Sequence, residues 1–200
     1  MTKWMWIIAG PNGAGKSSFA ENFLIDIGHH NLVKLNADER TIELRKHFPT
    51  EPQHDLNLKA AIAVDNDVEK CIEAGRSFVV ETVLSTSKYR DDVIKAKAEG
   101  FKFGLIYISL YPPELSPLRV SERVAKGGHT VDDDKAIERH RKSHEQLRWF
   151  APQADLFMAF DNSNCDGEPV LLASRKNGDP LKYIAHGVNQ AVDLALAGML

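Results

Sequence analysis

Cysteine is scarce: Cys71 and Cys165 stand far apart, and neither has a second cysteine or a Cys/His spacing of the zinc-site kind nearby. A structural metal is therefore not expected. No apolar run approaches the ~20 residues of a membrane span, and the run before Gly10 is too short for a signal-peptide core. The chain is expected to be soluble and cytoplasmic, with no membrane partner. An excess of one charge is also missing: 25 Lys and Arg against 28 Asp and Glu leave a net charge of −3, so no overall positive field draws in nucleic acid. Repeats, low-complexity tracts and linkers are absent, and 43% apolar with 26% charged residues argues against disorder and coiled coil. What is left is one folded domain over 1–200, long enough to bury roughly 70% of its unfolded surface.

Apolar runs of strand length at 4–9, 32–36, 77–81, 103–109 and 156–160 alternate with helical periods. That alternation predicts an α/β fold, a mostly parallel five-stranded sheet with helices on both faces. Leu58, Ala61, Ile62, Asp65, Val68 and Ile72 predict one helix with that face on the sheet, stopped by Gly75. Further helices are predicted over 88–99, 114–126 and 133–148. Only Ala136, Ile137 and Leu147 are apolar in the last of these, so it reads as a poorly anchored, mobile cover, and 114–150 as a helical lid. The tail predicts a hairpin around 169–178 and a helix over 183–197.

The most informative segment is Gly10, Pro11, Asn12, Gly13, Ala14, Gly15, Lys16, Ser17 and Ser18, which satisfies G-x-x-x-x-G-K-[ST] between a strand and a helix. This is the Walker A pattern of the P-loop NTPases. Its glycines let consecutive N–H groups converge on anionic oxygens at a helix N-terminus. Lys16 supplies a charge for the β- and γ-phosphates of ATP, and the Ser17 hydroxyl is suited to Mg²⁺.

In open α/β sheets ligands lie beyond the carboxyl ends of the strands, which directs attention to Asp38 and Glu81. Asp38 reads equally as a catalytic carboxylate or as the N-cap of a helix starting at Glu39. Glu81 follows Phe78-Val79-Val80 like the acid of a Walker B strand, a metal partner beside Ser17, or else is a surface acid at a strand end. Asp65 and Asp67 read as solvent-facing. Arg119 and Arg123 share a helical face, Arg139 and Arg141 lie beyond Gly127-Gly128-His129, and each is either a clamp on the transferring phosphate or a solvated surface charge.

Taken together, GPNGAGKSS, Asn36-Ala37-Asp38-Glu39, Phe78-Val79-Val80-Glu81-Thr82, the segment from Pro113 to Val131 and Asp161-Asn162-Ser163 resemble the zeta-toxin-like P-loop kinases. The resemblance implies a P-loop kinase fold and transfer of the γ-phosphate of ATP to a hydroxyl, in the best-known members that of UDP-N-acetylglucosamine. It implies Asp38 as base, Lys16, Arg123 and Arg139 on the transferring phosphate, and Arg119 and Arg141 as close substitutes. Glu39, Arg40, Glu81, Thr82, Arg119 and Arg141 are then the substrate-binding set, and an antitoxin protein is the implied partner. One departure is that Val-Pro is expected after Gly-Gly-His, whereas Val131 is followed by Asp132-Asp133-Asp134, and these acids are read as capping the next helix, facing outward. Acceptor choice is assigned to the 40–57 segment. Other acceptors (a nucleoside, a sugar, an antibiotic) and a nucleotide-binding switch without kinase activity stay open.

Overall fold

The computed structural model describes residues 2–26, 28–29, 32–125, 132–164, 167–176 and 178–199. In chain order the elements are β1 (Lys3–Ala9), α1 (Lys16–Asp26), β2 (Val33–Asn36), α2 (Ala37–His47), α3 (Gln53–Glu73), β3 (Phe78–Thr82) and α4 (Arg90–Ala98). These are followed by β4 (Phe101–Ser109), α5 (Leu115–Ala125), α6 (Asp133–Gln153), β5 (Leu156–Asp161), β6 (Val170–Lys176), β7 (Lys182–Tyr183) and α7 (Gln190–Leu196).

The five expected strands form the parallel part of the sheet, β2-β3-β1-β4-β5. The sheet has seven strands, not five, because β6 and β7 continue it antiparallel from β5. The expected hairpin is thus the sheet's far edge. The last helix is shorter than 183–197: Tyr183 lies on the β7 ladder, and Asn189 caps α7 only from Gln190.

β1 is apolar on both faces because both are covered. Met5, Ile7 and Ala9 face a core shared with α3, α4, α6 and α7, while Trp6 and Ile8 face a second one with α1. After β1 the chain moves to β2 and β3 on one side, then returns past β1 to β4 and β5 on the other. This places a switch-point crevice at the carboxyl ends of β1 and β3.

Three expectations need correcting. The buried stripe of α3 is Leu56, Ala60, Val64, Val68, Cys71 and Ile72, leaving Leu58 and Ile62 about half exposed at 54% and 51%. Two apolar stripes run along this helix, and the i, i+4 series from Leu56 is the one the core takes. The 40–57 segment is not a loop, since α2 runs through His47 and α3 starts at Gln53. Nor is α6 a loose cover. Its buried stripe is completed by His140, Ser143 and His144 between Ala136 and Leu147, and Arg175 binds the carbonyls of Ala151, Pro152 and Ala154 at its end. Polar residues that find partners inside pack a helix as firmly as apolar ones.

Candidate active site

At the end of β1 the chain turns at Gly10, with φ +145°, where a Cβ would sit 1.9 Å from the carbonyl oxygen of Ile108. Gly15 has φ +78°, a left-handed conformation that favours glycine, and a Cβ there would lie 2.7 Å from Asn162 Nδ2. At Gly10 the Ile108 backbone leaves no room for a side chain. The loop is clamped from two sides: Asn162 Nδ2 donates to Ala14 O at 2.9 Å, and Ser116 Oγ donates to Asn12 O at 2.6 Å. Because α1 starts at Lys16, the N–H groups of its first turn lack helical acceptors and favour anionic oxygens. Lys16 Nζ donates to Gly10 O and Pro11 O, both at 3.0 Å, which holds the ammonium over the loop. The Ser18 side chain lies outside the described residues.

Glu81 is no surface acid. Ser17 Oγ donates to its Oε1 at 2.9 Å and Asn36 Nδ2 to its Oε2 at 3.0 Å. Ser17, Asn36 and Glu81 line both a cleft of about 380 Å³ and a cavity of about 160 Å³, whose lining mixes Ile8, Leu24, Leu32, Leu35 and Val79 with His29, Lys34 and Glu39. Burial pushes the Glu81 carboxyl above the usual glutamate range, against the opposing pull of Lys16 and the Ser17 hydrogen bond.

Asp38 does not cap its helix. The cap of α2 is Asn36, whose Oδ1 accepts from Asp38 N at 2.8 Å and Glu39 N at 3.4 Å. The exposed Asp38 carboxylate instead lines the cleft, with Glu39, Thr82, the 83–86 loop, Lys88, Tyr89 and, from α6, Arg139. Lys16, Ser17, Asn36 and Glu81 form the rest of that lining, together with Asn12 and Gly13.

The other predicted residues lie elsewhere. Arg141 pairs with Glu145 along the outer surface of α6. Arg119 packs beside Gly13 and donates to Ser163 O at 3.0 Å. Arg40 joins α2 to α3 through Asp67 at 2.8 Å, with Glu43 at 3.6 Å. Asp65 binds Lys88 at 2.6 Å, so the two α3 acids expected to face solvent both serve contacts between elements. Asp132 does cap α6, accepting from Lys135 N at 3.1 Å. The Arg123 side chain and Gly127, Gly128 and His129 lie outside the described residues.

Arg139 is held by a buried polar seam one residue further along α6. His140 Nε2 donates to Leu110 O at 2.7 Å, and Ser143 Oγ donates to Val83 O at 2.7 Å while accepting from Tyr107 OH at 2.9 Å. His144 Nδ1 donates to His140 O at 2.8 Å, which leaves Nε2 to accept from Ser109 Oγ at 2.8 Å. Burial pushes His140 below the ordinary histidine range and His144 down to about 3, so both are neutral. Sequence reasoning missed this seam, the clamp from Ser116 and the double bonding of Asn36. An asparagine at a strand-to-helix junction is a capping signal that would have found the last.

Among the described residues no cluster of three His, Cys, Asp or Glu side chains is placed to hold a metal, and no helix is long and apolar enough to cross a membrane. Comparison with protein families matches the zeta toxin model over residues 1–165. The chain belongs to the zeta toxin family. The zeta toxin match ends just after the Asp161-Asn162-Ser163 turn, so β6, β7 and α7 lie beyond it. No curated protein matches at the sequence level. Among solved structures, the chain is similar to AvrRxo1-ORF1:-ORF2 with ATP, at TM-score 0.69 and 18% identity, covering 92% of this chain and 61% of that one. It is also similar to the PezAT chromosomal toxin–antitoxin system of Streptococcus pneumoniae, at TM-score 0.58 and 18% identity, covering 85% and 70%. The chain thus spans about three fifths of the AvrRxo1-ORF1:-ORF2 chain it matches. At these identities the likeness to solved structures establishes the P-loop kinase fold and nothing finer.

Proposed function

We propose that the chain is a cytoplasmic, Mg²⁺-dependent kinase that moves the γ-phosphate of ATP to a hydroxyl of a small molecule, a nucleotide sugar such as UDP-N-acetylglucosamine. The observation that carries this is the single cleft, with the phosphate loop and Lys16 on one wall and Asp38 and Arg139 among the residues facing it. A nucleotide switch needs neither a cavity beyond its phosphates nor a carboxylate across it, so the cleft favours a kinase.

The loop amides and Lys16 hold the β- and γ-phosphates. Ser17 and Glu81 present a hydroxyl and a carboxylate, hard oxygen donors that fit Mg²⁺ together with phosphate and water oxygens. When bound, that ion neutralises charge on the phosphates. Asp38 accepts the proton of the acceptor hydroxyl as its oxygen bonds to the γ-phosphorus, and the bond from that phosphorus to the β–γ bridging oxygen breaks to release ADP. Arg139 steadies charge on the γ-phosphate oxygens, already poised because α6 is pinned through His140 and His144. Arg123 is proposed beside it. An antitoxin protein belongs to the same proposal, supported by the likeness to PezAT.

The test is to incubate the protein with γ-labelled ATP, Mg²⁺ and a panel of nucleotide sugars, nucleosides, sugars and aminoglycosides. Label is expected on a nucleotide sugar. Slow phosphate release with no labelled acceptor would overturn the kinase reading.

A further inference from the structure

The segment beyond the family match reaches back into the nucleotide side of the molecule through Asn189, which is fully buried. Its Oδ1 accepts from Val192 N at 3.2 Å, an ordinary helix cap. The amide end does more than a cap requires. Nδ2 donates to Asp161 Oδ1 at 2.6 Å and to Ser109 Oγ at 3.1 Å. Asp161, 7% exposed, also accepts from Ser163 Oγ at 2.7 Å and Ser163 N at 3.1 Å. The residue enclosed by that turn is Asn162, whose amide holds Ala14 O and stands against Gly15.

We propose that Asn189 is a positioning residue for the phosphate loop: it fixes Asp161, Asp161 fixes the turn, and the turn places Asn162 on the loop backbone. The inference rests on the kinase reading in one respect, that ATP binds at this loop. The bond to Ser109 carries the same side chain's influence to α6, because Ser109 Oγ donates to His144 Nε2. Asparagine suits this place on chemical grounds. The site presents acceptors at Asp161 and Ser109 and a donor at Val192, and a carboxamide meets all three at once. Serine would keep the cap and lose the reach to Asp161, and aspartate would keep the cap while facing a second carboxylate at that distance.

The experiment measures Mg·ATP binding by calorimetry and thermal unfolding on the full chain, for wild type, Asn189→Ser, Asn189→Asp and Val192→Ala. Val192 is equally buried, on the helix that Asn189 caps; its alkyl side chain forms no hydrogen bond, and Val192→Ala keeps the backbone N–H that donates to Asn189 Oδ1. Asn189→Ser is expected to raise the ATP Kd about tenfold, and Asn189→Asp further. Val192→Ala is expected to lower Tm and leave Kd unchanged. A Kd within about twofold of wild type in folded Asn189→Ser, or an equal loss in Val192→Ala, would overturn the proposal. Should Asn189→Asp fail to fold, Asn189→Ser decides. Wild type that binds no ATP would remove the kinase reading and this inference with it, whereas unaltered binding in Asn189→Ser removes this inference alone.

Discussion

The nucleotide wall of the cleft comes from one contiguous loop, through Asn12, Gly13, Lys16 and Ser17, whereas the facing wall is gathered from α2, the end of β3 and α6, as far apart in the chain as Asp38 and Arg139. The first is mainly backbone: its shape follows from glycines at positive φ and from amides at a helix start. The second is mainly side chain, and each group stands where it does because another side chain holds its element there. Asn36 sets the start of α2 for Asp38, and His140 and His144 set α6 for Arg139. A wall of the first kind suits a ligand part that never varies, the triphosphate. A wall of the second kind can be retuned one residue at a time, which is what the acceptor choice of the proposed kinase requires.

Breaking either wall at its charged centre is expected to give the largest effects. Lys16→Ala and Asp38→Ala should each lower phosphotransfer on the order of 10³-fold or more. They should differ in binding: Lys16→Ala weakens ATP, and Asp38→Ala leaves ATP affinity near wild type. Calorimetry beside a labelled-phosphate assay separates the two, and full activity in Asp38→Ala would dissolve the distinction between the walls. Next in size, Arg139→Ala should lower kcat about 10²-fold, while Arg141→Ala, whose partner is Glu145 on the outer surface, should stay within about twofold. Equal losses in the two variants would mean that α6 turns its other face to the phosphate.

This difference in construction also explains what could be read from the sequence. The central strands β1 and β4 are legible because largely buried strands are continuous apolar runs, and the phosphate loop because its chemistry is contiguous. The depth of α6 was not. His140, Ser143 and His144 look like surface residues until Leu110, Ser109 and Val83 are brought beside them, and that pairing exists only in the folded chain. For the same reason Arg139 and Arg141 were indistinguishable as charges on one helix. The stripe of α3 was misplaced because Leu58 and Ile62 form an apolar spacing as regular as the buried one. The turn chemistry around 169–178 signals a hairpin there, but the attachment of β6 to β5 and the short β7 carry no local signal.

The seam under the second wall should give that wall a pH dependence that the first lacks. His144 is neutral in the fold, with a pKa of about 3, and an unfolded histidine titrates near ~6.5. Between those values the unfolded chain binds the additional proton, so stability is fully present above ~6.5 and falls as pH drops, at up to about 1.4 kcal/mol per unit. His140, also pushed down by burial, acts in the same direction. Urea unfolding from about pH 7 to about pH 4 should show this slope, and His144→Gln should flatten it. An unchanged slope in that variant would place the acid sensitivity elsewhere.

The smallest expected effect concerns Asn36, where the two walls meet. Its Oδ1 caps α2 and its Nδ2 binds Glu81, the acid that also accepts from Ser17 on the phosphate loop. Asn36→Ala loses both bonds and should cost about 1 kcal/mol for the cap alone. Asn36→Ser keeps a capping oxygen and should recover most of that stability, yet it no longer reaches Glu81. The two functions are therefore separable by one pair of variants: thermal unfolding should rank Asn36→Ser near wild type, and the Mg²⁺ concentration giving half-maximal activity should rank it with Asn36→Ala. If Asn36→Ser matches wild type in both measurements, the hydrogen bond to Glu81 is incidental, and the acid is oriented by Ser17 from the nucleotide wall alone.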